Sequence, residues 1–146
     1  MKTFSQKPSQ VSRIWYQIDA TDVPMGRIAT VAASLLIGKG KPTVTSHVDG
    51  GDYVVITNAD QFKITGSKET KKMYHRHSGF PGGLTSRRLA DISNETALRA
   101  AIRGMLPVNK LRDGRLERLK IYAGPEHSHA AQKPVTYELK NEKDKK

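Results

Sequence analysis

The feature that most constrains the fold is a run of four apolar residues, Tyr53-Val54-Val55-Ile56, with polar residues and glycine on either side. A strand with one face in water alternates apolar and polar residues, whereas an uninterrupted run of this length is typical of a strand buried on both faces of a parallel sheet. Parallel strands need crossover connections, which are usually helical. The run therefore predicts an α/β fold, with helices before and after it.

Two amphipathic helices are predicted, one on each side of this strand. Each carries apolar residues at positions i, i+3, i+4, i+7 and i+8, which lie on one helical face. Pro24 suits the first turn of the first helix and Gly38 its end, while Pro107 closes the second. The two apolar faces are Ile28, Val31, Ala32, Leu35 and Leu36, and Leu98, Ala101, Ile102, Met105 and Leu106.

Further short strands are predicted at residues 14–18, 62–65 and 119–122, where strand-forming residues cluster. Residues 62–65 alternate, as expected for a strand with one face in water. Because strands and helices alternate, we expect a single three-layer α/β/α domain around a small, mainly parallel sheet, with extended basic loops and termini. The domain is assigned to residues 14–139, after an N-terminal arm, 1–13, and before a charged tail, 140–146, expected to be disordered.

The charge balance indicates the class of partner. Twenty-five Lys and Arg against 14 Asp and Glu give a formal net charge of +11, and such a field attracts polyanions. No run approaches the roughly 18 apolar residues that a membrane span needs, and the first ten residues lack the apolar core of a signal peptide. We therefore expect a nucleic-acid partner, with neither membrane nor small-molecule substrate, in the cytoplasm or alternatively an organelle matrix.

The strongest binding signal lies in residues 68–88, which contain one acidic residue, Glu69. Cations neutralise phosphates, aromatic rings such as Tyr74 and Phe80 stack on exposed bases, and glycines let the backbone approach a polyanion. Arg99 and Arg103 form a second basic patch one helical turn apart, although a solvated helix face fits them equally. The candidate RNA-binding residues of the segment are Lys68, Lys71, Lys72, His75, Arg76, His77, Gly82, Gly83, Arg87 and Arg88.

Other motifs admit a chemical and a plainer interpretation. Gly38-Lys39-Gly40-Lys41 lacks the spacing of a phosphate-binding loop and follows a helix, so it is either a basic loop near RNA or a solvated loop. The histidines at 75, 77, 127 and 129 could contact RNA or be satisfied by backbone groups, and a metal site is disfavoured because no carboxylate lies at a matching spacing. Asp49 and Asp52 are attributed to turn chemistry, because no nucleophile accompanies them.

A series of short stretches follows in a recognisable order: Trp15-Tyr16 through Asp19-Ala20, Met25-Gly26-Arg27-Ile28-Ala29, Gly38-Lys39-Gly40-Lys41-Pro42, His47-Val48-Asp49, Gly51-Asp52-Tyr53-Val54-Val55-Ile56, Asn58-Ala59, Thr65-Gly66, His77-Ser78-Gly79, Pro81-Gly82-Gly83, Gly104-Met105-Leu106-Pro107, Leu119-Lys120-Ile121-Tyr122-Ala123-Gly124, Glu126-His127 and His129-Ala130-Ala131-Gln132. Together they resemble, over nearly the whole chain, the L-thirteen family of large-subunit ribosomal proteins in its bacterial form.

The resemblance implies a three-layer α/β fold, contact with large-subunit ribosomal RNA and neighbouring ribosomal proteins, and a part in early assembly of the subunit. It also implies a monomer within the ribosome, no catalysis and no cofactor. The positions that it places against RNA are Arg27, Lys39, Lys41, His47, Lys68, His77, Gly82, Gly83, His127 and His129.

The chain departs from the family pattern at Gly40, Val108 and Asp113. Lysine usually stands at the second of these positions, so RNA contacts around residues 108–113 are in question. The arginines that could replace those contacts are Arg112, Arg115 and Arg118.

The predicted function is structural: basic loops and termini clamp ribosomal RNA by neutralising its phosphates. Two other hypotheses stay open at this point. A nucleotide-using enzyme on an α/β scaffold is disfavoured because the phosphate loop and the nucleophile are missing. A free regulatory RNA-binding module that acts away from the ribosome would be distinguished by where the protein sediments in a cell extract.

Overall fold

The computed structural model describes residues 4–139, which build a parallel sheet and a separate antiparallel hairpin. The sheet contains β1 (Trp15–Asp19), β2 (Tyr53–Thr57), β5 (Leu119–Ile121) and β6 (Val135–Thr136) in the order β5-β2-β1-β6. The hairpin contains β3 (Met73–His77) and β4 (Leu84–Arg88). Strands β1 and β2 pair in register from Trp15 opposite Tyr53 to Asp19 opposite Thr57.

The helices are α1 (Met25–Ile37), α2 (Lys68–Lys71), α3 (Asn94–Met105) and α4 (Leu111–Glu117). Helix α1 begins directly after Pro24 and ends at Gly38, whose φ of +83° and N–H bonds to the carbonyls of Ser34 and Leu35 close the last turn. Helix α3 is capped by Ser93, the residue before it, whose hydroxyl accepts a hydrogen bond from the Thr96 N–H. Among residues 4–139, no helix has the length and apolar character needed to cross a membrane.

The core lies between the sheet and the helix pair α1–α3. Side chains alternate across a sheet, so the paired residues Ile18 and Ile56 point to one face, where both are fully buried. Leu36 of α1 and Leu98 of α3 are also fully buried and belong to the same cluster. This arrangement places α1 and α3 on one face of the sheet.

The opposite face of the sheet carries an aromatic pair. Trp15 and Tyr53 stack with ring centroids 4.2 Å apart and planes 4° apart, and His129 lies 4.9 Å from Trp15. His129 belongs to the connection between β5 and β6, so this connection covers part of the second face. Val55 is fully buried, as are its neighbours Val54 and Ile56. The prediction that this strand is buried on both faces is therefore confirmed.

The α/β class and the mainly parallel sheet are confirmed, as are both long helices. The predicted strand at residues 62–65 is wrong, because only Lys63 makes a bridge, to Pro24. The alternation nevertheless predicted burial, since Phe62 is buried and Lys63 exposed. Met105, expected on the buried face of α3, is 44% exposed because it is the last residue of that helix. The predicted tail, 140–146, lies outside the described residues, as do residues 1–3.

Candidate RNA-binding surface

The hairpin β3–β4 organises the basic segment 68–88. Its register pairs Tyr74 with Arg87 and Arg76 with Thr85, and because opposite residues share a face these four lie on one side of the hairpin. The other side carries His75, whose Nδ1 lies 2.7 Å from the Ser86 hydroxyl. The hairpin therefore sorts the basic residues onto two faces.

The hairpin turn explains the glycines of this segment. Gly82 has a φ of +71°, a conformation that favours glycine. A side chain on Gly83 would place Cβ 2.0 Å from the Ser78 hydroxyl and 2.9 Å from the Phe80 carbonyl oxygen. The Ser78 and Gly83 backbones are joined by an N–H···O bond of 3.1 Å. Gly82 and Gly83 thus have a demonstrated role in the turn.

A groove of about 660 Å³ separates the hairpin from α3. One wall consists of the hairpin face with Arg76 and Arg87, and the other includes Thr96 and Ala100 of α3. Arg103 follows Ala100 by three residues and therefore lies on the same flank of the helix. Arg76 and Arg87 therefore line the groove on the hairpin side, and Arg103 lies one helical turn from it on α3.

The ends of the basic segment extend this surface. Lys68 and Lys71 are exposed on α2, and the Lys72 ammonium lies 5.2 Å from the Tyr74 ring centroid. Residues 70–90 contain no Asp or Glu. Arg87 and Arg88 form no ion pair with any residue that the structure describes. The surface therefore carries positive charge that the described part of the chain does not neutralise.

A buried ion-pair network removes other cations from the surface. Arg118 binds the Asp49 carboxylate through both terminal nitrogens, with Nη2 2.7 Å from Oδ1, and Arg115 Nε lies 3.5 Å from Oδ1 of the same group. Arg115 is 3% and Arg118 7% exposed. The expectation that these two arginines replace RNA contacts is wrong, because the protein interior uses them.

Burial raises the pKa of Asp49, but the hydrogen bond and charge of Arg118, together with the charge of Arg115, outweigh it and hold the pKa below its ordinary value. The attribution of Asp49 to turn chemistry is incomplete: its carboxylate accepts a hydrogen bond from the Gly51 backbone two residues on, and it also forms the ion pair with Arg118.

Lys41, a predicted RNA contact, is also engaged within the chain. Its ammonium donates to the Ser12 carbonyl at 2.8 Å, the Gly50 carbonyl at 3.0 Å and the Asp52 carboxylate at 2.5 Å. An ammonium has three N–H donors, so all three are used. Asp52 also accepts from the Ile14 N–H at 2.9 Å. Lys41 therefore joins residues 12–14 to the loop that follows α1.

Lys39 and His47, which lie near Lys41 in the sequence, are exposed, whereas Lys41 is engaged within the chain. The Nε2 of His47 lies 3.4 Å from the Ser5 hydroxyl. Arg27 lies in the first turn of α1 and lines a different cavity of about 420 Å³, together with Tyr137. These residues lie outside the groove between the hairpin and α3.

His127 and His129 lie against the aromatic cluster on the opposite face of the sheet. The His129 N–H donates to His127 Nδ1 at 3.2 Å, and both rings pack near Tyr122. Desolvation by burial, followed by the charges of Lys120 and His127, lowers the pKa of His129 below its ordinary value. The ring is therefore protonated less readily than a free imidazole, and it suits packing or hydrogen bonding better than phosphate neutralisation.

The structure thus brings together the basic segment and α3, which we call the hairpin–helix surface. Thr85 and Thr96 line its groove without any sequence signal that singles them out, because only the packing of the hairpin beside α3 makes them neighbours. Within residues 4–139, no three His, Asp or Glu side chains come together in a way that could hold a metal ion. The charged and imidazole members of the surface are Lys68, Lys71, Lys72, His75, Arg76, His77, Arg87, Arg88, Arg99 and Arg103.

Comparison with known proteins shows the family of the chain. Residues 13–128 match the family model described as Ribosomal protein L13. A protein of Paenarthrobacter aurescens named large ribosomal subunit protein uL13 is 51% identical over 142 residues, covering 95% of this chain and 97% of the relative. The protein of the same name from Halorhodospira halophila is 50% identical, covering 95% of this chain and 100% of the relative. The chain therefore belongs to the ribosomal protein L13 family.

Proposed function

We propose that this chain binds the RNA of the large ribosomal subunit through the hairpin–helix surface and helps the early assembly of that subunit. The observation that carries the proposal is the absence of Asp and Glu from residues 70–90, where the hairpin holds its cations. A cationic surface that the chain does not neutralise itself is complementary to a polyanion.

Family membership supplies the setting for this proposal. The chain is a ribosomal protein of the large subunit and acts in the cytoplasmic ribosome as a structural component, not as an enzyme. Its partners within this setting are ribosomal RNA and neighbouring ribosomal proteins. In the proposed role the chain is a monomer that places RNA segments relative to one another during assembly.

The shape of the surface supports RNA as the polyanion. Proteins recognise RNA mainly by backbone contacts, by shape and through unstacked bases, because side chains cannot read the deep, narrow major groove of an A-form helix. The groove between the hairpin and α3 offers arginines for phosphates and the Thr85 and Thr96 hydroxyls for sugar or base oxygens. We propose that an RNA strand follows this groove.

The remaining candidates divide into secondary contacts and supporting residues. Lys39, His47 and Arg27 are proposed as contacts outside the groove. Lys41 acts indirectly, because its three donors hold residues 12–14 and the loop after α1 together. His127 and His129 are proposed to contact RNA through their imidazole rings, by stacking or hydrogen bonding.

The proposal is tested by reversing charge on the hairpin. In the double variant Arg87→Glu/Arg88→Glu, we expect weaker binding to a large-subunit RNA transcript and reduced incorporation into subunits in competition with the wild-type protein. A matched control is Lys110→Glu/Lys133→Glu, because both lysines are exposed, lie outside the hairpin–helix surface and give the same charge change.

Sedimentation of a cell extract on a sucrose gradient, before and after a high-salt wash, provides the second readout. Co-sedimentation of the wild-type protein with the large subunit is expected to survive moderate salt. Equal incorporation of the Arg87/Arg88 variant and the control would show that these hairpin arginines do not contact RNA. A wild-type protein found only at the top of the gradient would favour a regulatory role away from the ribosome.

A further inference from the structure

The tip of the hairpin carries an exposed aromatic residue that phosphate neutralisation does not explain. The Phe80 side chain is 74% exposed. Single exposed apolar residues are common on protein surfaces and need no explanation by themselves. Phe80 differs from such a residue in two respects: the turn that carries it is closed by hydrogen bonds, and the residues around it are positively charged.

The turn that presents Phe80 is held by hydrogen bonds that involve residues before and after it in the sequence. The Phe80 carbonyl accepts from the Gly83 N–H at 3.0 Å, and the Ser78 N–H donates to the Gly83 carbonyl at 3.1 Å. The Gly79 N–H donates to His77 Nδ1 at 2.9 Å. Since these bonds close the turn, the exposed position of Phe80 is built into the structure and requires little ordering on binding.

The charge around the tip excludes most partners that would cover an apolar ring. The strands on either side of the turn carry His75, Arg76, His77, Arg87 and Arg88, and residues 70–90 contain no acidic side chain. A partner that covers Phe80 must therefore tolerate or neutralise this charge. Unpaired nucleotides offer both features required, a flat π-face for the ring and a phosphate for the cations.

We propose that Phe80 stacks on an unpaired nucleobase, so that the hairpin recognises a loop or bulge in RNA rather than a continuous duplex. This inference rests on the proposed RNA-binding function and specifies the structure of the RNA at that site. The arginines hold the backbone on both sides of the base, and the ring covers its face. A fully paired helix offers no such base at the tip, because its bases are stacked on one another.

The test uses the full-length chain and two RNA probes of equal length, a stem with an unpaired loop and a fully paired duplex. Wild-type protein is expected to prefer the loop probe. Phe80→Ala is expected to weaken binding to the loop probe roughly 5- to 150-fold, the range found for loss of one base–aromatic stack, and to leave duplex binding unchanged. Phe80→Tyr keeps an aromatic face and is expected to restore the preference.

A spectroscopic readout reports on stacking itself. The chain has one tryptophan, so the double variant Trp15→Phe/Phe80→Trp moves the only indole to the tip, with Trp15→Phe as the background control. We expect the loop probe to quench the fluorescence of this tip tryptophan and the duplex probe to leave it unchanged.

The outcomes separate the stacking proposal from the proposed function. If wild-type protein binds neither probe nor a large-subunit RNA transcript, the RNA-binding function itself fails. If it binds the loop probe while Phe80→Ala binds equally well and the tip tryptophan is not quenched, only the stacking proposal is overturned. Normal RNA affinity of Phe80→Ala with reduced incorporation into subunits would also overturn it and would assign Phe80 to a protein contact.

Discussion

Basic residues of this chain serve two different purposes, and burial separates them. Arg118 is buried and bound to Asp49, whereas Arg87 and Arg88 are exposed. A charge taken out of water requires a partner and hydrogen bonds for its remaining donors. Arg118 meets both needs, because it also donates to the Leu36 carbonyl at 3.1 Å and the Asp52 carbonyl at 3.3 Å.

The Asp49 carboxylate is expected to matter more for folding than any exposed acid. Asp49→Asn removes the negative charge and leaves Arg115 and Arg118 buried without it, so we expect a loss of on the order of 3 kcal/mol in the free energy of unfolding. Urea denaturation measures this loss. The control is Glu126→Gln, an exposed acid for which a change within about 0.5 kcal/mol is expected. Equal effects of the two substitutions would contradict the structural role of the network.

The same ion pair predicts a pH dependence. Burial raises the pKa of Asp49, but Arg118 and Arg115 lower it by more, so the native-state pKa lies below the ordinary value of 3.8. A carboxyl group with a depressed native-state pKa stabilises the fold above its unfolded-state pKa and loses this contribution as the pH falls through the native-state value. The wild-type protein should therefore be more stable against unfolding than Asp49→Asn at pH 5, and this difference in stability should shrink below about pH 4. Urea midpoints measured at each pH test this. A pH-independent difference would contradict this assignment.

Sequence patterns could not distinguish these two groups of cations. Lys39 and Lys41 stand two residues apart in one glycine-containing loop, yet Lys41 uses all its donors within the chain and Lys39 is exposed. The partners of Lys41 are contributed by residues 12, 50 and 52, and those of Arg118 include residues 36 and 49. Such pairings depend on tertiary structure, so residue type and spacing in the sequence do not predict them.

At the scale of elements, the sequence pattern predicted those helices and strands whose formation depends on residues within the segment itself. Helices α1 and α3 and strand β2 were predicted because apolar periodicity and capping residues lie within each segment. Strand β6 was missed because Val135 and Thr136 are exposed and pair only with the distant β1. Residues 62–65 showed the reverse error, since alternation predicts burial but a strand also needs a neighbour along its length.

The hairpin β3–β4 was not predicted because its strands carry little apolar character. In β4 all five residues are exposed, and in β3 only Tyr74 is not. The available signal was the glycine-rich turn between two segments of equal length. The hairpin therefore depends on turn geometry more than on burial, which makes Gly83 its most sensitive position.

Gly83→Ala is expected to open the hairpin, because its Cβ would lie 2.0 Å from the Ser78 hydroxyl and 2.9 Å from the Phe80 carbonyl oxygen. Amide hydrogen exchange should show loss of protection at Ser78 and Gly83, and binding to RNA should weaken. The matched control is Gly104→Ala in α3, where nothing lies within 4 Å of the added Cβ. That change should stabilise the helix by about 0.5–1 kcal/mol. Unchanged protection at Ser78 in Gly83→Ala would show that the turn tolerates the side chain.

At the scale of the whole molecule, the 25 Lys and Arg that produce a net charge of +11 lie in different environments. Within the α/β domain, Lys41 forms an ion pair with Asp52, and Arg115 and Arg118 form ion pairs with Asp49. The hairpin–helix surface concentrates three lysines and five arginines beside one groove. Net charge indicated a polyanionic partner and the sequence pattern singled out residues 68–88, whereas the groove between this segment and α3 depends on tertiary packing.

The salt dependence of RNA binding measures how many of these cations meet phosphates. If six to eight phosphates are neutralised, the logarithm of the association constant should fall with the logarithm of salt concentration with a slope of roughly −4 to −7. Arg99 and Arg103 each lie one helical turn along α3 from a residue that lines the groove, Thr96 or Ala100. If RNA follows the groove, Arg99→Gln/Arg103→Gln should make the slope shallower by about 1 to 2.

The control for the slope is Lys110→Gln/Lys133→Gln, which removes the same charge from exposed positions outside the surface. It should change the slope little, because counterions are released where cations contact phosphate and not in proportion to net charge. If both pairs shift the slope equally, the domain attracts RNA through its overall field, and the groove is not the site of contact. If only the Arg99/Arg103 pair does so, α3 forms one wall of the RNA-binding groove.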